Sequence, residues 1–491
     1  MLNPKNHYVV VSFPIQGHLN PSLHFAKQLA GLGAEVTFVT SIYGYRRIFK
    51  NAMNLPNSPT SATATTTFAD GSSITFAPFD DGCKEDLSTD IKEKVSELKR
   101  IGSQALATLI QTFKQELRPV TCLIHTPLLS WAAKVARDLG VSSAMLWTQP
   151  ATVFAICHYF YNGYKEQILE VHNSGDASSL VELPGLPKLT CRDLPAFFLP
   201  SNVQSLTVGA MFEEQFESLK QEISKPPPRV FFNTFEELEA KALQVLDGMV
   251  DAMPIGPLSN HSIFLDGKDN KFQSSSNYLD WLKAKGDASV VYVSFGSIIA
   301  PERRQVEEIV RGLVATGRPF LWALPRTQPN GEAVVLLEGD EECVTSLVNE
   351  INKGEQGLVV EWCSQTQVLE HDSVGCFVSH CGWNSTMESL VAGVPMVAMP
   401  KWVEQWTNAM LVEDVWKTGV KVERIEKVGE EEEELVESEE IKRCVELVMG
   451  EGMRGQEIRR NAEKWRSLAR KAVEDIGGSS HRNLVEFFGR S

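Results

Sequence analysis

No stretch of the 491-residue chain carries the roughly 18 consecutive apolar residues that a membrane-spanning helix needs. The longest runs, HYVVVSF and SVVYVSF, break off within about eight residues. The opening MLNPKNHYVVVSFPIQGHLNP has too short an apolar run for a secretory signal and no small-residue cleavage site after it, and a CaaX or KDEL ending is missing. Cysteine is sparse: nine residues, odd in number, with no CxxC pair, the usage of a reducing compartment with free thiols. A cytoplasmic location is the expectation, and there the sequon at Asn384 carries no meaning. An excess of positive charge is also missing. Lys+Arg total 47 against 63 Asp+Glu, a formal net charge of −16. That balance excludes a dedicated nucleic-acid binder but leaves small anionic ligands open, since a local site can be positive inside an acidic protein. Neither heptads nor repeats of about 20–50 residues occur, so a structural role has no support.

Several catalytic signatures are missing too. No GxGxxG lies between a strand and a helix; GLGAEV at Gly31 follows a helix and reads as the turn that ends it. GxxxxGK[ST], GxSxG and HExxH do not occur. A dinucleotide oxidoreductase, a P-loop enzyme, an α/β-hydrolase and a zincin are therefore disfavoured.

What is present is an ordinary globular composition, 43% apolar and 22% charged, at a length that suits two or three domains of about 150 residues. Strand-like and helix-like runs alternate from end to end, the pattern of an α/β protein with parallel sheets. His7–Phe13 reads as a buried strand and Asn20-Pro21 as the cap and first residue of a helix, because proline lacks the N–H that would be orphaned there. Glu35–Thr40, Val120–Ile124 and Ser142–Trp147 read as further strands, with a helix at Ser130–Leu139. Asn57–Thr67 reads as a polar loop. Periodicity disappears around Met253–Ser276, which marks an interdomain linker between an N-terminal domain at 1–252 and a C-terminal one at 277–454. A second series follows: strands Ser289–Phe295, Phe320–Leu324, Leu358–Trp362, Gly375–His380, Val394–Met399 and Gly419–Glu423, with helices Pro301–Thr316, Ser385–Ala392 and Glu404–Lys417. Glu430–Glu434 reads as a solvated loop, and Ser438–Met449 and Gly455–Glu474 as helices. Two doubly wound domains of similar size would place ligands at the carboxyl ends of their strands.

The densest unusual segment runs from Trp362 to Gln405. GCFVSH reads as a strand and NSTMESLVAG as a helix, with His380-Cys381-Gly382-Trp383 between them. Amides of Asn384, Ser385 and Thr386 at a helix N-terminus suit a phosphate, with His380, Asn384 and Ser385 as added donors. Alternatively, Ser385 and Glu388 form no more than a capping box, although that leaves an exposed Trp383 and the polar ending Glu404-Gln405 unexplained. Trp362 is either a core residue or an aromatic platform for a base at a strand's carboxyl end.

This 44-residue segment resembles the C-terminal signature of plant family 1 UDP-glycosyltransferases, from the opening Trp through HCGWNS to the terminal acidic-Gln pair without a gap. The resemblance continues through FPIQGHLNPSLHFAKQL, RVFFNTFEELE, VVYVSFGS and GGSSHRNLVEF. It implies a GT-B fold: two facing Rossmann-like domains with a cleft between them, acceptor in the first and UDP-sugar in the second, and C-terminal helices (455–491) crossing back to the first. It also implies roles. Trp362 would stack on uracil, Cys363 would hold it through its backbone, and Gln365 would serve the uridine end. Glu388 would accept the ribose hydroxyls, in competition with capping. His380, Asn384, Ser385 and Ser297 would bind the diphosphate, and Trp383, Glu404 and Gln405 the sugar. Gln405 favours glucose over galactose, and Thr148 matches a position near the sugar's 6-hydroxyl. UDP-glucose is a co-substrate; a metal or other cofactor is not implied. A monomer acting on a small hydrophobic acceptor is expected, without nucleic acid or membrane.

His18 stands after the first strand. A lone loop histidine is usually solvated, but this place in an α/β sheet and the match of FPIQGHLNP make it the general base of the resemblance. Family members commonly orient that histidine with an aspartate. Aligned on Trp131, the position holds Thr126, with His125 before it as a possible auxiliary. A threonine can fix a tautomer but cannot stabilise an imidazolium by charge. Acceptors of low pKa follow: carboxylates or acidic flavonoid hydroxyls. TCLIHTPLLSWAAKVARDLG and LWTQPATVFAICHYFYNGY resemble the branch containing anthocyanin 5-O-glucosyltransferases. Phe154, His158, Phe197 and Phe198 could line an acceptor pocket or belong to the core. Competing readings are another donor sugar, C-glycosylation, or a catalytically weak ligand-binding protein of the same fold.

Overall fold

The computed structural model describes residues 6–49, 64–81, 91–173, 178–198, 203–222, 227–258, 277–296, 301–325, 341–424, 435–474 and 477–490. The chain forms two compact units, Met1–Ser259 with Lys471–Ser491, and Asn260–Arg470. Strands in chain order are β1 (His7–Val11), β2 (Glu35–Val39), β3 (Ala64–Thr67), β4 (Ser73–Phe76), β5 (Cys122–His125), β6 (Ser142–Trp147), β7 (Leu180–Val181), β8 (Leu189–Thr190), β9 (Arg229–Phe232) and β10 (Asp251–Pro254). They continue with β11 (Val290–Ser294), β12 (Phe320–Ala323), β13 (Gly357–Val360), β14 (Val374–Ser379), β15 (Met396–Ala398) and β16 (Gly419–Lys421).

The first unit holds an eight-stranded sheet in the order β10-β9-β6-β5-β1-β2-β4-β3, parallel except where β3 meets β4. The second holds a six-stranded parallel sheet, β13-β12-β11-β14-β15-β16. Both are doubly wound. The order reverses between β1 and β5 in one and between β11 and β14 in the other, so each unit has its own switch point for a ligand. The central strands β1, β11 and β14 are buried along their whole length, as continuous apolar runs in covered parallel sheets must be.

Several expected boundaries move. The first helix is Gln16–Gly31, with Ile15 as its cap and Pro21 inside it, so Asn20 is not the cap. Both His18 and Leu19 donate to the Ile15 carbonyl at 3.0 and 2.9 Å, which closes the first turn ahead of the proline. Thr65–Thr67, expected in a loop, lie in the edge strand β3, a place that suits β-branched residues; 57–63 fall outside the described residues. Asp251–Pro254 pairs with β9, so the first unit runs past 252. A proline is tolerated there because β10 is an edge strand. Of the expected linker, 259–276 lie outside the described residues, as does the Glu430–Glu434 run. The return to the first unit comes at Lys471 rather than 455. Its last helix, Ser479–Arg490, is tied to β10 and the segment after it by Ser480 Oγ donating to the Gly256 carbonyl (2.5 Å) and Asn483 Nδ2 to the Pro254 carbonyl (2.8 Å). Its Phe487 ring packs on Phe231 at 4.7 Å. Glu404–Lys417 is shorter than expected: a helix over Gln405–Met410 runs into a wider turn at Leu411–Val415.

Candidate active site

At the first unit's switch point, β1 delivers the chain through Ser12-Phe13-Pro14 into the Gln16 helix, whose first turn carries His18. The imidazole is buried, at 7% exposure, and its Nδ1 has no hydrogen-bond partner. Its ring centroid lies 5.5 Å from that of Phe13. Desolvation pushes its pKa down to about 3, so the ring is neutral. His18 is thus in a helix rather than in a loop, fixed by backbone instead of free to swing.

Thr126 follows β5 and is fully buried. Its Oγ1 accepts from the Phe13 N–H at 2.9 Å, and its own N–H donates to the Val11 carbonyl at 3.0 Å. The hydroxyl therefore braces the turn leading to His18. His125 donates from Nδ1 to the Thr126 carbonyl at 3.0 Å, and burial takes its pKa down to about 4. Thr148, 4% exposed, follows β6 at the same end of the sheet. Phe197 stacks on Phe212 at 4.4 Å, Phe198 on Phe160 at 4.0 Å, and Phe154 meets the edge of Trp147 at 4.9 Å. All three are buried, so of their two readings the core one stands. His158 is half-buried beside Asn162, whose Nδ2 bonds its carbonyl at 2.7 Å.

At the second unit's switch point, β14 ends at Ser379 and the helix begins at Trp383, two residues before the expected Ser385. Gly382 is the cap and contributes no side chain. Hence Ser385 is not a cap, and the capping box with Glu388 is not formed. Instead Gln365 Nε2, at the start of the helix Gln365–Leu369, donates to Ser385 Oγ (2.9 Å) and Glu388 Oε2 (2.6 Å). The Thr386 N–H is taken up by the Gly382 carbonyl at 2.9 Å, so it is no phosphate donor. Residues 383–385 make up the first turn, where amides point out of a helix.

His380 lies between two glycines. A Cβ on Gly296 or on Gly382 would come within 2.8 or 2.6 Å of its Nε2, closer than atoms pack. Its Nδ1 is buried without a partner, and burial holds its pKa down at about 4. Ser297 lies outside the described residues. Cys381 adopts the left-handed conformation, φ 61°, and Asn408 Nδ2 donates to its carbonyl at 2.7 Å.

Trp383 is buried at 3%, 6.0 Å from Trp416 between ring centroids, which corrects the expectation of an exposed ring. A first-turn side chain leans back over the helix start and finds the core there. Its backbone, not its ring, meets the Glu404 carboxylate. Glu404 is buried, which raises its pKa to about 7 against hydrogen bonds from its own backbone, Asn408 and Trp383. Burial likewise raises Glu388 to about 7 against the bond from Gln365. Gln405 Oε1 accepts from the Lys401 and Trp402 amides at 2.9 and 3.0 Å, which leaves its NH₂ as the end able to meet a ligand. Trp362, at 38% exposure just after β13, is not a core residue. Cys363 is buried, with Sγ 3.4 Å from the Tyr292 hydroxyl, which also reaches Gln365 Oε1 at 3.3 Å.

Tyr292 and Asn408 were not singled out by sequence. The signal for Tyr292 is a phenol at the centre of VVYVS, which must find partners when buried. Among the described residues no cluster of three His, Cys, Asp or Glu is placed to hold a metal, and no helix is long and apolar enough to cross a membrane.

The chain is similar in sequence and fold to known proteins. A profile of the family described as UDP-glucoronosyl and UDP-glucosyl transferase matches residues 203–437. Crocetin glucosyltransferase, chloroplastic, of Gardenia jasminoides is 44% identical, covering 98% of this chain and 97% of its own. Anthocyanidin 3-O-glucoside 5-O-glucosyltransferase of Verbena hybrida is 42% identical over 98% of both chains. The crystal structure of Os79 from O. sativa in complex with UDP superposes with a TM-score of 0.75 at 30% identity, covering 98% of this chain and 99% of that one. The fold is GT-B.

Proposed function

The chain belongs to the family of UDP-glucuronosyl and UDP-glucosyl transferases and is a UDP-glycosyltransferase; from that premise we propose that it transfers glucose, with inversion, from UDP-glucose to a hydroxyl or carboxyl of a small plant secondary metabolite. The acceptor oxygen attacks the anomeric carbon, the bond from that carbon to the diphosphate breaks, and UDP leaves. His18 takes the acceptor's proton when there is one to take. Trp362 stacks on the uracil and Cys363 holds it through its backbone. Gln365 and Glu388 serve the ribose. The 383–385 turn, His380 and Ser297 receive the diphosphate, so that helix-end amides do work a cation would otherwise do. Glu404, Gln405 and the Trp383 backbone hold the sugar, and Thr148 its 6-hydroxyl. The reaction requires no metal, and the protein acts as a cytoplasmic monomer.

The observation that carries this reading is a neutral, buried imidazole with an unpaired ring nitrogen immediately beyond β1. It also narrows the acceptor. A base without a charged partner serves best where the acceptor is already acidic, and the relatives named above act on crocetin, an apocarotenoid acid, and on an anthocyanidin glucoside. Carboxylates and acidic flavonoid hydroxyls are therefore the proposed class. The test is a UDP-release screen with UDP-glucose against flavonoids, anthocyanidins, aromatic acids and an apocarotenoid acid, with the products identified by NMR. Release with none of them would favour a ligand-binding role without transfer. Release with UDP-galactose, UDP-xylose or UDP-rhamnose instead would reassign the donor.

A pH dependence follows from the donor side. Carboxylates at about 7 lose the charge that accepts hydroxyl hydrogen bonds as pH falls through that value. The KM for UDP-glucose is expected to rise several-fold from pH 8 to pH 6, and Glu388→Gln to flatten the change. A KM that is level over this range would remove both carboxylates from sugar-nucleotide binding.

A further inference from the structure

RVFFNTFEELE, the central motif, has no part in the reaction described so far. Its last residue, Glu239, is a carboxylate exposed by only 4%. Its Oε2 accepts from the Ala151 N–H at 2.9 Å, and its Oε1 accepts from the Thr152 N–H at 2.9 Å and the Thr152 hydroxyl at 2.8 Å. These are groups of the first turn of the helix Ala151–Tyr159, whose own cap, Pro150, offers no side-chain acceptor. Glu239 thus caps that helix from a distant part of the chain. An anion at this end of a helix is also favoured by the aligned peptide dipoles.

The same motif grips the other flank. The Asn233 N–H donates to the Trp147 carbonyl at 3.1 Å, and Trp147 Nε1 donates to the Pro150 carbonyl at 2.9 Å. Residues 148–150 are therefore clamped before and after by Asn233 and Glu239, with the indole bridging the turn. Thr148 is the first residue of that turn, at the carboxyl end of β6, the ligand end of a doubly wound sheet.

We propose that Glu239 is a positioning residue for donor selection: by capping the Ala151 helix it fixes the Thr148 hydroxyl where it distinguishes a hexose donor from one lacking the hydroxymethyl group. The inference rests on the reading of Thr148 given above. A site built to bond a hydroxyl rejects the analogue without it, and the distinction survives only if the bonding group is held still.

The test compares kcat/KM for UDP-glucose and UDP-xylose. Thr148→Val is expected to lower the glucose-to-xylose ratio about 2–10-fold, the worth of one neutral hydrogen bond. Glu239→Gln turns an amide N–H toward donors and should lower the ratio similarly. The double variant should lower it no further, because both changes remove one interaction. Loss of folded protein alone lowers both donors equally and leaves the ratio where it was, so an unchanged ratio in Glu239→Gln overturns the proposal while Thr148 keeps its role. An unchanged ratio in Thr148→Val overturns the reading of Thr148 and the proposal with it. Should Glu239→Gln fail to fold, Thr152→Val decides. It removes one of the three bonds, and a smaller fall in the ratio supports the proposal where no fall rejects it.

Discussion

Replacing His18 by alanine is expected to lower kcat/KM for a phenolic acceptor by about 10²–10⁴-fold, the usual contribution of a positioned base. The KM for UDP-glucose should not change, because His18 lies in the first unit and the proposed donor residues, except Thr148, in the second. With a carboxylic acid the loss should be far smaller, below about tenfold, since a carboxyl of ordinary pKa near 4 is already ionised at pH 7 and needs no base. Parallel assays of one phenol and one aromatic acid read the difference. Equal losses would mean that His18 places the acceptor without moving a proton, and an unchanged phenol rate would remove it from the reaction. The pH profile separates the groups further. With burial holding His18 at about 3, the free enzyme's imidazole stays neutral through the ordinary assay range. An acid limb near pH 7 would then belong to Glu388 and Glu404, and it should persist in the alanine variant's residual activity.

Thr126→Asp is expected to act in the opposite direction. The threonine oxygen now accepts from the Phe13 N–H. A carboxylate has a second oxygen, which is expected to accept from the unpaired Nδ1 of His18, and a charge to stabilise the imidazolium. An anionic partner raises a histidine's pKa by about 1–3 units, roughly tenfold in basicity for each. Turnover of weakly acidic aliphatic alcohols should rise about 10–100-fold, while that of carboxylates, which need no base, changes little. A profile of kcat/KM against pH should gain a limb between about 3 and 6.5 as the imidazole becomes protonatable there. Equal gains for all acceptors, or none, would sink the link between Thr126 and acceptor acidity.

The parts of the fold legible in sequence were those governed by local rules. Continuous β-branched runs such as VVVSF and VVYVSF can only be strands covered on both faces, and they form the centres of the two sheets. Boundaries went astray where tertiary contact overrode a local signal. Asn20-Pro21 carries a helix-start signal, yet the Ile15 carbonyl closes the turn earlier. Ser385 and Glu388 have capping-box spacing, yet Gln365, twenty residues upstream of Ser385, claims both side chains. Trp383 has the look of a site aromatic, yet the start of its helix directs the ring onto Trp416.

Sequence by itself determined the chemical inventory: an imidazole after the first strand, a histidine two residues before the glycine at a helix start, two carboxylates and an amide further along, and a threonine where an aspartate is usual. Those are matters of residue type and spacing, which folding cannot alter. Only the tertiary structure decided their state. Burial took His18 and His380 down and Glu388 and Glu404 up, and long-range hydrogen bonds gave Thr126 to Phe13 and Glu239 to the Ala151 helix. Charge and partnership depend on which atoms are near and how much water is excluded, and both are properties of packing rather than of order along the chain.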